Sequence, residues 1–467
     1  MLCFCYKSKA FYSVIATANH NTQPTHITAA TTMVDGTKSN NVQKGGQKDE
    51  RSVVSGADQP RQQQQEDANT NTEMISRLMP TEAIALNAGT VIGSGENRKW
   101  RVLSRLGSGA FGAVFLVEEE AKKKEQYALK AERMSAQVQM LAIEVQVYQA
   151  LMSQAETTLE GQKRRYPLLI DKGEWSNQYN YLVMSLVGPS LEDLRRRRPN
   201  NKFSLGTAVL AARKTLAALL QLHLVGFLHR DVKPANFSIG HSDTGVIYIL
   251  DFGMARCFVN SATGVLKRPR AGNIGFRGTA KYASRIGHRH KELCRGDDVE
   301  SWFYMACELI KGKLPWHRID DEARIRDMKS EAMDSEKKAK KSKDQKTETK
   351  SKDSKTETKS KDPKTETKSK DAKAEKSKDQ KVETKDTKTE KSKEEKTEKD
   401  PRRLLLGGCP KQFAHILDLV APLRYYDDPP YDAIAADIGA ALTRLQVPTY
   451  PLDWQVDERS RGGAKKT

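Results

Sequence analysis

From Trp100 the apolar positions recur every second residue: WRVLSRLG, AVFLVEE and QYALKAE each read as a half-buried strand of one antiparallel sheet, with glycines and charges between them as turns. The period then lengthens. QVQMLAIEVQVYQALM sets Leu141, Val145, Tyr148 and Met152 on one face of a helix. YNYLVMSLV at 179–187 returns to a strand, and Gly188–Pro189 ends it. From Ser190 helical spacing dominates, apart from short apolar runs such as VIYIL at 246–250. The most apolar window, TLAALLQLHLVGFL at 215–228, is too short to span a bilayer and reads as a buried helix, so no membrane segment is expected. A strand-rich part thus precedes a helix-rich part in an α+β chain.

Both periods vanish over 336–400, which holds no Phe, Trp or Tyr and only Val382 among aliphatics larger than Ala. A nine-residue phrase, SKDxKTETK, repeats at 342–350, 351–359 and 360–368 and presents no apolar stripe at any helical phase, so disorder is expected. Helical spacing resumes beyond it, with Phe413, Ile416, Leu417, Val420 and Leu423 on one face and Ile434, Ile438, Ala441 and Leu445 on another. The lysine-rich stretch therefore reads as an insertion between two helices of one lobe, tolerable because closure entropy grows only logarithmically with loop length. Residues 1–94, polar and with QQQQ at 62–65, also read as disordered. The expected organisation is 1–94 disordered, 95–187 strand-rich lobe, 188–335 first part of the helical lobe, 336–400 insertion, 401–450 final helices and 451–467 tail.

The net charge of +19 is uneven: 24 lysines against 17 acidic residues give +7 to 336–400, and 1–94 is balanced, so the folded part is basic. Such a surface suits an acidic or phosphorylated protein, a nucleic acid or an anionic polymer such as tubulin. The six cysteines, Cys3, Cys5, Cys257, Cys294, Cys307 and Cys409, form no C-x-x-C pair, which argues against a zinc site and a disulfide framework and for a reduced, intracellular compartment.

Gly107, Gly109 and Gly112 form G-x-G-x-x-G followed by Val114. A dinucleotide-binding fold uses this spacing to open a helix, whereas here it turns one strand into another, a flap whose backbone amides can approach phosphate. In YALK, Ala128 and Lys130 share a strand face, and Glu144 lies on the inward part of the following helix, where an unpaired carboxylate would be costly. A Lys130–Glu144 pair answers both. FLHRDVKPANF at 227–237 and YILDFG at 248–253 follow.

These motifs, in this order, resemble the protein kinases. The resemblance implies a bilobal fold, with an antiparallel five-stranded sheet plus one helix and then a mainly helical lobe. It implies ATP and Mg²⁺ as cofactors, with Gly107, Gly109, Gly112, Val114, Ala128, Lys130, Glu144, Met184 and Val187 forming the ATP site, Met184 as the gatekeeper behind the adenine and Val187 in the hinge. Asp231 would accept the substrate hydroxyl's proton, Lys233 would neutralise the transferred group, and Asn236 and Asp251 would hold Mg²⁺. VGPSLEDL, GFRGTAKYAS, DDVESWFY and KLPW look like the casein kinase 1 superfamily, and LDFGMARCF, RPRAGNIGFRGT and YYDDPPYD look most similar to its tau-tubulin kinase branch. In that family Asp298 anchors the catalytic loop. Two departures stand out: Ser284, Arg285 and Ile286 replace the usual end of the activation segment, and of the two phosphate-binding basic positions Lys281 matches while the second falls at Asp320. Arg268, Arg270 and Arg277 could favour acidic sequences or form ion pairs within the domain. The expected protein is a cytoplasmic or nuclear monomer, active without phosphorylation at Ser261, Thr263 or Thr279, acting on acidic or cytoskeletal proteins and touching tubulin or microtubules. A scaffold without activity, or a microtubule-binding protein, are the alternatives.

Overall fold

The computed structural model describes residues 84–93, 98–109, 112–122, 124–136, 138–158, 164–260, 262–333, 400–446 and 450–456. The expectations for 1–83 and 334–399 lie outside these residues.

The first lobe is one antiparallel sheet of β1 (Val91–Ile92), β2 (Trp100–Gly109), β3 (Gly112–Glu119), β4 (Gln126–Arg133), β5 (Leu169–Trp175) and β6 (Tyr179–Ser185), ordered β1-β2-β3-β4-β6-β5, with helix α1 (Met140–Thr158) inserted after β4. Five strands correspond to the expected sheet; the sixth, β1, pairs Val91 with Arg101 and Ile92 with Trp100. Ile84 and Ile92 are buried, so the boundary expected at 94 falls too late. The two-residue period sorts the sheet's faces. Phe115, Leu129, Ala131 and Val183 pack with Trp100 on one side, while Ala128, Leu182 and Met184 join α1 on the other.

The second lobe begins with β7 (Val187–Ser190) and α2 (Leu191–Arg196) and is organised around α3 (Leu205–Leu224) and α4 (Arg295–Lys311). By length and composition α3 could cross a membrane, but 83% of its apolar window is buried, as in the core helix of a soluble domain. It starts ten residues before the window read from sequence, and Phe227–Leu228 at the window's end form strand β8. Strands β9 (Phe237–Gly240), β10 (Ile247–Ile249) and β11 (Arg256–Cys257) follow, and residues 322–333 are helical (α5).

Helices α6 (Pro401–Leu406), α7 (Gln412–Val420) and α8 (Tyr431–Leu445) pack into this same lobe. Phe413 of α7 lies 6.1 Å from the Phe303 ring of α4, and Lys311 donates to the Leu405 carbonyl at 2.9 Å. The buried face of α7 is Phe413, Ile416, Leu417 and Val420. The boundary set at 450 is corrected: Leu452 and Trp454 are buried, and Asp453 accepts hydrogen bonds from Ser204 N (2.7 Å), Ser204 Oγ (2.6 Å) and Thr207 Oγ1 (3.0 Å), closing the N-terminus of α3.

Candidate active site

At the sheet's tip Gly107 lies opposite Val114 and Gly109 opposite Gly112. A Cβ on Gly112 would collide with the Ala131 carbonyl oxygen, so strand packing demands glycine there. Among the described residues a Cβ on Gly107 or Gly109 would meet nothing within 4 Å, so these two glycines border open space there. Deeper along the ladder Val114 pairs with Lys130 and Ala128 with Met184. Ala128 and Met184 are buried, the Tyr148 hydroxyl donates to Met184 Sδ at 3.7 Å, and Val187 opens β7 just beyond. Together they give an apolar wall behind the glycines.

The buried face of α1 runs through Leu141, Glu144, Tyr148 and Leu151, a line that puts a carboxylate inside the apolar stripe. Glu144 forms an ion pair with Lys130, and Lys130 Nζ also donates to Asp251 Oδ1 at 2.9 Å. Burial alone would lower the Lys130 pKa; the two carboxylates reverse this and hold it above the ordinary lysine value. Lys130 in turn holds the Asp251 carboxyl well below the usual range. Asp251 sits in the left-handed region at φ 62° and is followed by Phe252, whose ring meets Tyr148 at 5.1 Å and His229 at 5.8 Å.

Across the cleft, Lys233 Nζ donates to Asp231 Oδ2 at 2.6 Å, Thr279 Oγ1 donates to Asp231 Oδ1 at 2.8 Å, and Asn236 Nδ2 donates to the Asp231 carbonyl at 2.8 Å. Thr279 can come this close because Gly278 precedes it at φ +95°, where a Cβ would lie 2.6 Å from the Arg230 carbonyl. Asp298 of α4 fixes the loop from below. Its Oδ2 accepts from His229 N at 2.6 Å and its Oδ1 from Arg230 N at 2.8 Å, with His223 Nε2 at 2.9 Å. Burial works to raise the Asp298 carboxyl, yet His223 and His229 bring it below its ordinary value.

Among the described residues no three of His, Cys, Asp and Glu gather to hold a metal ion. The oxygen donors in the cleft are the half-exposed Asp251 carboxylate and the Asn236 amide oxygen. Two such donors suit a hard divalent ion that completes its shell with ligand oxygens and water.

The segment after Thr279 is anchored in ways its sequence did not show. Arg285 N donates to Glu300 Oε1 at 2.8 Å, its guanidinium pairs with the same carboxylate, and its Nη2 donates to the Ala421 carbonyl at 2.8 Å. Lys281 pairs with Glu308, which Tyr282 and Arg195 also approach, so it is engaged inside the domain rather than presented to a phosphate; Asp320 is exposed. Arg270 and Arg256 share Glu292, which places Arg270 in an intradomain ion-pair set. Sequence reasoning also missed His223, Thr279 as a partner of Asp231, and Lys329. For Lys329 a signal existed: Ile325, Lys329 and Met333 recur every four residues, and all three are buried.

The model of the protein kinase domain matches residues 100–398. A probable serine/threonine-protein kinase of Dictyostelium discoideum is 39% identical over 245 residues, 52% of this chain and 47% of that protein. The Caenorhabditis elegans serine/threonine-protein kinase spe-6 is 33% identical over 366 residues, 78% of this chain and 77% of its own length. A protein of the same organism named as a casein kinase I is 34% identical over 233 residues, 50% of this chain and 65% of that one. Among solved structures, vaccinia related kinase 3 superposes with a TM-score of 0.58 at 18% identity, over 82% of this chain and 99% of that chain, a likeness of fold. The chain thus spans about half of the first relative and about three quarters of the second.

Proposed function

The chain belongs to the protein kinase family, and on that premise we propose that it transfers the γ-phosphoryl group of ATP to serine or threonine hydroxyls of proteins, as a member of the casein kinase 1 superfamily. The observation that carries this is the joint placement of Lys130 between Glu144 and Asp251 and of Asp231 beside Lys233 and Asn236. These charged groups lie where a triphosphate and a substrate hydroxyl can meet them.

In this reading the backbone around Gly107 and Gly109 covers the phosphates, and Ala128, Val114, Met184 and Val187 enclose the adenine. Lys130 binds phosphate oxygens. Asp251 and Asn236 supply the oxygen donors for Mg²⁺, which when bound offsets phosphate charge. Asp231 Oδ2 or Oδ1 takes the proton as the substrate Oγ forms its bond to the γ-phosphorus and the bond to the β–γ bridging oxygen breaks. Lys233 offsets the charge that spreads over the transferred group.

Within the superfamily, YYDDPPYD at 425–432 and RPRAGNIGFRGT support the tau-tubulin kinase branch. Arg268 and Arg277 are exposed in the segment that leads to Thr279, and their charge supports acidic protein substrates. The lysine-rich 336–400 insertion supplies charge for a tubulin or microtubule contact, which co-pelleting before and after its deletion checks. The place of action is the cytoplasm or nucleus. Purified chain with labelled ATP should phosphorylate casein or tubulin without an upstream kinase, and Asp231→Asn should lose the transfer while keeping nucleotide binding. Transfer that survives Asp231→Asn overturns the reading.

A further inference from the structure

Lys329 of α5 is fully buried, a rare place for a lysine. Its Nζ donates to the carbonyls of Ala280 at 2.9 Å and Ala283 at 2.7 Å and reaches His288 Nε2 at 3.1 Å. The rings of Tyr304 and Trp316 lie 4.9 and 5.1 Å from the same nitrogen. Trp316 adds a third tie, its Nε1 donating to the Lys281 carbonyl at 2.8 Å. Three of the four carbonyls from Ala280 to Ala283 are thereby held by two side chains that belong to neither catalytic loop nor cleft.

What those carbonyls position is the active site's substrate side. Tyr282 N and Ala283 N both donate to the Thr279 carbonyl at 2.9 Å, and the Thr279 hydroxyl reaches both Asp231 and Lys233. A displacement at 280–283 therefore moves Thr279 relative to Asp231. We propose that Lys329 is a positioning residue for phosphoryl transfer: it sets the segment 279–284 that receives the protein substrate, and nothing on the nucleotide side. This rests on the kinase reading above.

The surroundings support a donor rather than a counter-ion. Burial pushes the Lys329 amine down to about 7, against the pull of Glu300 and Glu322. His288, which faces it, is pushed to about 3 by burial and by Lys329 itself, so it stays neutral. Among the described residues the remaining groups in reach of the amine are the Tyr304 and Trp316 rings and the two carbonyls. A side chain kept only to neutralise charge would sit beside a carboxylate.

The test uses the full chain and Lys329→Met, which keeps the aliphatic stem and removes the donors. We expect the KM for a peptide substrate to rise about tenfold, which is about 1.4 kcal/mol, with the KM for ATP unchanged. Amides 282 and 283 should exchange with deuterium faster. If Lys329→Met does not fold, Trp316→Phe and Lys329→Gln take its place: losing the indole donor should raise the peptide KM, and Gln, still a donor, should raise it less than Phe at 316. An unchanged peptide KM in a folded variant, or a fall in kcat and ATP affinity with peptide KM intact, overturns the proposal. A wild-type chain that transfers no phosphate would sink the kinase reading alone, because the exchange rates of 282 and 283 still decide what Lys329 holds.

Discussion

Two lysines largely withdrawn from water face opposite sides of the same site, and they are solved by different chemistry. Lys130 sits between Glu144 and Asp251, so its charge is compensated and kept. Lys329 sits among carbonyls, a neutral imidazole and two aromatic rings, so its amine gives up its proton near neutrality. Burial differs in degree, with 19% of the Lys130 side chain exposed and none of Lys329, yet desolvation works against the charge of both. The difference lies in what each must meet: a permanent cation suits an anionic ligand that arrives, whereas a hydrogen-bond donor suits a segment that stays.

The largest test of this contrast is Lys130→Met. It should lower kcat/KM by about 100-fold or more, the scale of losing one preorganised electrostatic contact, while the peptide KM barely moves. A steady-state series in ATP and in peptide separates this from the mirror-image behaviour expected of Lys329→Met. The next is pH. The folded pKa of Lys329 lies below its ordinary value of 10.5, so above about pH 7 the unfolded chain binds a proton here that the folded chain does not. Folded stability contributed by this group therefore rises with pH through that window and is lost as pH falls toward 7. Relative to Lys329→Met, wild type should gain about 2 kcal/mol between about pH 7 and pH 9 in urea unfolding. Parallel curves for the two proteins would show a lysine that stays charged. The smallest is Tyr304→Phe. It removes the hydroxyl that donates to Glu300 at 2.8 Å and leaves the ring facing Lys329, so stability should fall by about 1 kcal/mol with the peptide KM changed less than about twofold.

The nucleotide side was legible in the sequence because each signal there is local. Strand alternation put Ala128 and Lys130 on one face, and a carboxylate inside an apolar helical stripe announced that Glu144 needed a partner. The glycines, Asp231, Asn236 and Asp251 were visible as an ordered set of short motifs. The substrate side was not, because its contacts join residues far apart in sequence: Arg285 to Glu300 and Ala421, Lys281 to Glu308, Lys329 to Ala280 and Ala283. No periodicity encodes such pairings: the recurrence of Ile325, Lys329 and Met333 marks Lys329 as facing inward but not what it meets there. The edges failed for a related reason: the two residues of β1 and the turn around Leu452 and Trp454 are too short to show a period.

The cap on α3 imposes an order on the protein's own synthesis. Strands β2 to β6 pair largely with near neighbours in sequence, so the sheet can close while the chain is still being made. Ser204 must wait for Asp453, 249 positions later, and the ribosome delivers it only after the whole lysine-rich segment has emerged. Until then α3, a long and largely buried apolar helix, also lacks α8 against it. The lobe built on α3 is thus completed last, and a nascent chain stalled within the repeat would display a finished sheet beside an exposed, unfinished core.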